Sequence, residues 1–385
     1  MKNTNKKGFT IVELVIVIAV IAILAAVLIP TFASIVKKAN QSADQQAVAN
    51  MNKLLAVSDK AEDVDGVIEI LIENNYAGDL TTYFAGYQLA WVKAENVIVL
   101  VENNAVVFPA SYTDVTEYEL IRPMATDAEA LVGGLTDGKT LYVGADVEVE
   151  NLDLSEAGEY SVNLNGNTVA SPNYIGSWVE NGKLVLSNGT IESDNDRIAV
   201  YSAAKGTVEL NNVSIYAQSG VNPIQSYGGT IILNNVTTAQ SGAAETSWYN
   251  SAIQIANHIT QDENDTWYFD GGLSEITVNG GMYSGDKAIQ MSAPGGTVVI
   301  NDGNFIGTTA AINADYNATY ASQGATYSIE INGGTFTGSI KINNANIKCV
   351  VNGGTFNVDI ANVANVTIGA GKTVTDNGNG TWTVG

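Results

Sequence analysis

Three patterns of apolar residues follow one another along this chain, and each predicts a different element. Residues 9–29, FTIVELVIVIAVIAILAAVLI, are 21 positions with a single charge. As a helix rising 1.5 Å per residue they span about 31 Å, the thickness of a bilayer core. Beyond Pro30, residues 31–58 contain no further Pro or Gly. Apolar residues there fall at Ala43, Ala47, Met51, Leu54, Leu55 and Val57, close to helical spacing. One long helix from Phe9 to Ser58, bent at Pro30, is the expectation.

The second pattern is short and mixed. Residues 67–72, VIEILI, predict a helix with Asp65 as its N-cap, stopped by Asn74, Asn75 and Gly78. YQLAWVKA, VIVLVE and AVVFP, separated by Glu95-Asn96 and Asn103-Asn104, predict a three-stranded antiparallel meander.

The third pattern is a repeat. After about residue 136 a phrase recurs: an apolar strand, Asn, one or two Gly or Asn, then a strand led by Thr or an aromatic. Its instances include LVLSNGTI, VELNNVSI, IILNNVTT, ITVNGGMY, VVINDGNF and IEINGGTF. The first polar residue after each strand falls at Asn165, Ser187, Asn211, Asn234, Asn279, Asn301, Asn332 and Asn352. The steps of 22, 24, 23, 45, 22, 31 and 20 residues include a 45 that is two turns or one turn with an insertion. The 31 holds an extra loop near residues 317–325. A second phrase, IAVYS, PIQSY, AIQIA, AIQMS, AINAD and SIKIN, places another short strand in most turns. A period near 22 with several strands per turn is the mark of a parallel β-helix, whose turns stack about 4.8 Å apart around one core. Gly and Asn take the corners because they tolerate positive φ, and stacked Asn side chains can form hydrogen-bonded ladders. The block resembles the right-handed β-helix repeats of surface proteins and carbohydrate-active enzymes; a pair of β-sandwiches is the alternative. KTVTDNGNGTWTV at the end predicts a hairpin that caps the last turn.

The apolar N-terminus raises the question of what a lone Glu13 does there. Lys2, Lys6 and Lys7 precede it with no acid, which places that end in the cytoplasm and the rest outside. No A-x-A site follows the apolar run, so it is expected to be retained. A carboxylate within a spanning helix costs roughly 2.5–3.5 kcal/mol and needs a partner. If the chain is cut after Gly8, Phe9 gains a free ammonium about one helical turn from Glu13, and the two can pair between packed copies. Lys6-Lys7-Gly8-Phe9-Thr10-Ile11-Val12-Glu13-Leu14 resembles the cleavage and methylation signature of type IV pilins and pseudopilins. The resemblance covers about residues 1–58. It implies cleavage between Gly8 and Phe9 by a prepilin peptidase, N-methylation of Phe9, assembly guided by Glu13, and a helix kink at Pro30.

The expected fold is α+β: a leader (1–8), a transmembrane pilin helix (9–58), a small pilin-head-like domain (59–135), and an all-β right-handed parallel β-helix with a hairpin cap (136–385). Composition narrows the chemistry. Beyond residue 38 there are 12 Lys+Arg against 39 Asp+Glu, a surface that repels phosphate backbones, so no nucleic acid partner is expected. Cys349 is the single cysteine, so no intrachain disulfide forms. No HExxH, GxSxG, P-loop or paired Cys/His spacing occurs. Asp194 and Asp196 beside Arg197 read as a solvated turn, and no cofactor, metal or catalytic group is expected. The insertion QDENDTWYFDGG, with Asp262, Asp265, Trp267 and Tyr268, is the candidate for holding a sugar or Ca²⁺. The functional expectation is a structural or adhesive type IV pilin-like subunit, of the minor kind, rather than an enzyme. Its expected place is the cell membrane in a single pass, with the C-terminal part at the cell surface or on a pilus. Its partners would be prepilin peptidase, other pilins, the membrane, and a glycan or cell surface. The alternatives are a membrane-tethered polysaccharide-active enzyme and a pseudopilin of a secretion or DNA-uptake system.

Overall fold

A computed structural model describes residues 11–76, 80–154, 156–193, 198–218, 220–241 and 250–385. Gly8, Phe9 and Gly78, and likewise Asp194, Asp196 and Arg197, lie outside the described residues. The chain forms two compact units, 1–123 and 124–385.

In the first unit, α1 (Ile11–Leu55) runs without interruption through Pro30. From Ile11 to Leu24 and from Leu28 to Val36 its large apolar residues are exposed. From Asp44 onward the helix packs: Val48, Met51 and Leu55 are buried. Polar residues join it to the rest of the unit, among them Asp44 and Asn52. Asp44 is buried and accepts hydrogen bonds from the backbone amides of Tyr83 (2.7 Å) and Phe84 (2.9 Å). Asn52 accepts from Ile98 N (2.6 Å) and donates to Ile98 O (2.8 Å), meeting a strand residue as another strand would.

Helix α2 (Val64–Glu73) begins at Asp63, whose carboxylate accepts from Gly66 N. Asp63, not Asp65, is therefore the cap: a capping side chain reaches the third helical amide, and only Asp63 stands at that distance before Gly66. Strands β1 (Gln88–Val92), β2 (Val97–Glu102) and β3 (Ala105–Phe108) form the antiparallel meander. Asn103 and Asn104 both have positive φ, as a tight two-residue hairpin requires. A fourth strand, β4 (Glu119–Leu120), pairs with β1 and makes the sheet order β3-β2-β1-β4.

The second unit is a β-helix of about eight turns with three parallel sheets as its faces. On the first face Leu186, Leu210, Leu233, Val278 and Ile300 stack in register. On the second Ile191, Ile215, Thr238 and Tyr283 do the same. On the third it is Val200, Ile224, Ile253, Ile289 and Ile312. These inward columns make one continuous core. Turns stack because no single turn buries its own apolar side.

The helix α3 (Ala128–Gly134), capped by Asp127, sends Leu131 into that core at the N-terminal end. This unit therefore begins at Met124, ahead of the compositional change near residue 136. At the other end the strand Trp382–Val384 pairs antiparallel with Gly354–Phe356 and with Val374–Asp376.

The register corrects one step of the repeat. Asn163, not Asn165, stands beside Ser187, because Leu164 and Asn165 are two extra residues in that corner. The 45-residue step is one turn with an insertion, since Leu233 pairs directly with Val278. The 31-residue step holds α4 (Ala318–Ser322).

Asparagine side chains run up the outside of the first face. Asn234 donates to Asn211 (2.6 Å), Asn279 to Asn234 (2.8 Å), Asn301 to Asn279 (2.7 Å), Asn332 to Asn301 (3.0 Å) and Asn352 to Asn332 (2.9 Å). Inside, Tyr283, Phe305, Phe336 and Phe356 stack nearly parallel at 5.2, 4.8 and 4.8 Å between ring centroids. That separation is the rise of one turn.

Candidate functional site

Two regions carry the candidate residues, one in each unit. In the first, Glu13 lies in the first turn of α1 and Pro30 within it. Ile11, Leu14, Val15, Ile16 and Val17 around Glu13 are exposed. Among the described residues one helix is long and apolar enough to cross a membrane, and it is this one. A soluble globular chain seldom leaves so long an apolar surface uncovered.

The second region is the insertion in the 45-residue turn. Strands Ile259–Gln261 and Trp267–Phe269 pair as an antiparallel hairpin. Asp262 closes its tip: one carboxylate oxygen accepts from Asn264 N (2.8 Å) and Thr266 N (2.9 Å). Asp265 supplies the positive-φ position of the same turn. The structure thus brings Asp262 and Asp265 together as turn-makers, since Asp satisfies nearby amides and tolerates left-handed backbone. Trp267 and Tyr268 are 51% and 38% exposed, while Phe269 turns inward and its amide donates to Gln323 Oε1 (2.7 Å). Among the described residues no group of three His, Cys, Asp or Glu is placed to hold a metal.

The sequence marks the acids and aromatics here; the structure adds how the base of the hairpin is held. His258 Nδ1 lies 2.5 Å from Asp270 Oδ2, and its ring packs 4.8 Å from that of Tyr227. The Tyr227 hydroxyl accepts from Ile259 N (3.1 Å) and donates to Ile259 O (3.2 Å). These contacts fix the angle at which the hairpin leaves the β-helix. Cys349 is buried, which pushes its thiol up to about 12, so it stays protonated and unreactive.

The protein therefore combines an exposed, membrane-length N-terminal helix with a β-helix. Residues 3–29 match the family model of the prokaryotic N-terminal methylation motif. The chain is 63% identical over 38 residues to the type IV wide pilus major component PilA4 of Thermus thermophilus. That match covers 10% of this chain and 29% of PilA4, so the similarity to a type IV pilin holds over the N-terminus. No solved structure matches the chain.

Proposed function

We propose that this chain is a type IV pilin-like subunit that is processed at its leader, assembles through α1, and presents the β-helix for contact at the cell surface. The observation that carries this reading is the exposed apolar run of α1 with Glu13 in its first turn. Coincidence with the prepilin methylation motif over residues 3–29 supports it. In this reading a prepilin peptidase cuts between Gly8 and Phe9, Phe9 is methylated, and Glu13 pairs with the new ammonium of a neighbouring subunit. The apolar run lies in the membrane before assembly and against other pilin helices afterwards.

A minor, contact-making role fits the proportions. The 38 matched residues are 29% of PilA4 but 10% of this chain, which is therefore about three times longer. Most of the additional length is β-helix, an adhesive platform rather than a shaft element. We expect no catalytic activity and no cofactor.

Mass spectrometry of the native N-terminus tests the reading. The expected species starts at a methylated Phe9, and an intact Met1 overturns it. Glu13→Gln is expected to lower surface assembly by more than about tenfold, the scale of an intramembrane charge left without its partner. Surface labelling at the parental level would remove Glu13 from assembly.

A further inference from the structure

On the outer side of the second face, the register sets Ala170, Glu192, Tyr216 and Ala239 side by side on four successive turns. Large side chains stand in the middle of this column and alanines at its ends. The result is an open groove of about 210 Å³, lined by Glu192, Tyr216, Gln218, Ala239 and Gln240. Tyr216 is 51% exposed, so its ring is available to a ligand rather than spent on packing.

The lining has a definite chemistry. An aromatic ring presents a negative face to the weakly positive C–H groups of an apolar ring edge. The Glu192 carboxylate beside it can accept from hydroxyl groups, while the Gln240 amide is held by Val221 O and shapes the groove wall. The volume lies below the roughly 300–1,000 Å³ of sites that enclose whole small molecules. It suits one ring of a longer chain lying across the face. The acidic surface, 39 Asp+Glu against 12 Lys+Arg beyond residue 38, repels uronic acids and sulfated sugars.

We infer that this groove is a binding subsite for one sugar ring of a neutral or amino-sugar glycan, with Tyr216 as the stacking platform and Glu192 as the hydroxyl or ammonium acceptor. The inference rests on the surface-contact half of the function proposed above. It also places the site away from the Trp267 hairpin, where the Asp262 carboxylate is already engaged by its own turn.

The test is an array of neutral, amino and acidic glycans probed with the labelled full chain in detergent. Binding is expected on neutral or amino-sugar glycans. Loss of the stacked ring in Tyr216→Ala is expected to weaken the captured glycan about tenfold, and Tyr216→Phe to stay within about twofold. Trp267→Ala is expected to bind as the parent does. Glu192→Ala, which removes a charge-assisted hydrogen bond, is expected to lose about tenfold as well. Circular-dichroism melts confirm that each variant is folded, and the Glu192 variant decides if Tyr216→Ala is not. Parental affinity in the folded variant, capture of acidic glycans alone, or no capture by the parent overturns the inference. Because the array measures the purified chain, such a failure leaves leader processing and α1 assembly untouched.

Discussion

The earlier and later turns of the β-helix fill the same inner corner in two different ways. On the second face one inward column runs Ile191, Ile215, Thr238, Tyr283, Phe305, Phe336 and Phe356. Two residues before each stand Gly189, Val213, Val236, Gly281, Gly303, Gly334 and Gly354. Where the inward side chain is aliphatic or Thr, its neighbour is Val, as in Val213 and Val236. Where it is aromatic, the neighbour is Gly at positive φ. A Cβ on Gly303 would sit 3.1 Å from the Phe305 ring, and one on Gly354 3.3 Å from the Phe356 ring. The ring occupies the space that a valine fills in the earlier turns. Gly189 departs from this rule for a local reason: a Cβ there would collide with Leu164 Cβ, the residue inserted in the preceding corner. Close-packed interiors allow such exchanges only when total volume is kept.

The largest effect is expected from breaking the aromatic stack. Phe305→Ala opens a hole between Tyr283 and Phe336 and should cost about 3–5 kcal/mol in chemical melts. Gly303→Val with Phe305→Ile transplants the earlier solution, and the positive φ of Gly303 should keep it from recovering that loss. Recovery would show that volume, and not backbone conformation at Gly303, φ +133, sets the pairing.

A smaller effect tests the outer surface. Asn279→Ala removes bonds to both Asn234 and Asn301 and should cost about 1–2 kcal/mol. Asn188, in the earlier turns, holds two longer bonds, to Asn163 (3.4 Å) and from Asn212 (3.3 Å), so Asn188→Gly, which suits its left-handed backbone, should cost less. Equal losses would mean the ladder adds nothing beyond its single bonds.

The smallest handle belongs to the earlier turns alone. Burial pushes the Asp153 carboxyl up to about 6, and its Oδ1 is buried with no hydrogen-bond partner. The folded chain therefore holds this proton at pH values where the unfolded chain has released it. Its contribution is full below about pH 4 and is lost as pH rises through about 6. With screening at this partly exposed site, the fall should be about 1 kcal/mol. Asp153→Asn should remove that slope from urea melts taken at pH 4, 5, 6 and 7; an unchanged slope would assign it elsewhere.

Some of this architecture was legible in the chain because each layer has its own period. Helical spacing from Ala43 to Leu55 and the Asn-centred phrase near every 22 residues are strong signals. The strand β4 was not legible: two residues, Glu119 and Leu120, are too few to display alternation. The register at Asn163 was hidden because VNLNGNTV offers two Asn residues in equivalent settings, and only the pairing of Val162 with Leu186 separates them. The groove was invisible for a related reason. Glu192 and Tyr216 are outward residues of ordinary strands, and 24 residues separate them until the turns stack. The hairpin stood out because its aromatics and acids are contiguous, yet what its acids do depends on backbone amides that composition does not report.

The two insertions show what the corners permit. A seventeen-residue excursion, 257–273, and the segment carrying α4 both leave the β-helix and return without displacing the strands on either side. Leu233 still meets Val278, and Ile300 still meets Ile331. Because each turn answers only to its immediate neighbours, new loops can be grafted at these exits while the spine stays the same. Such a scaffold can diversify what it touches without having to relearn how to fold.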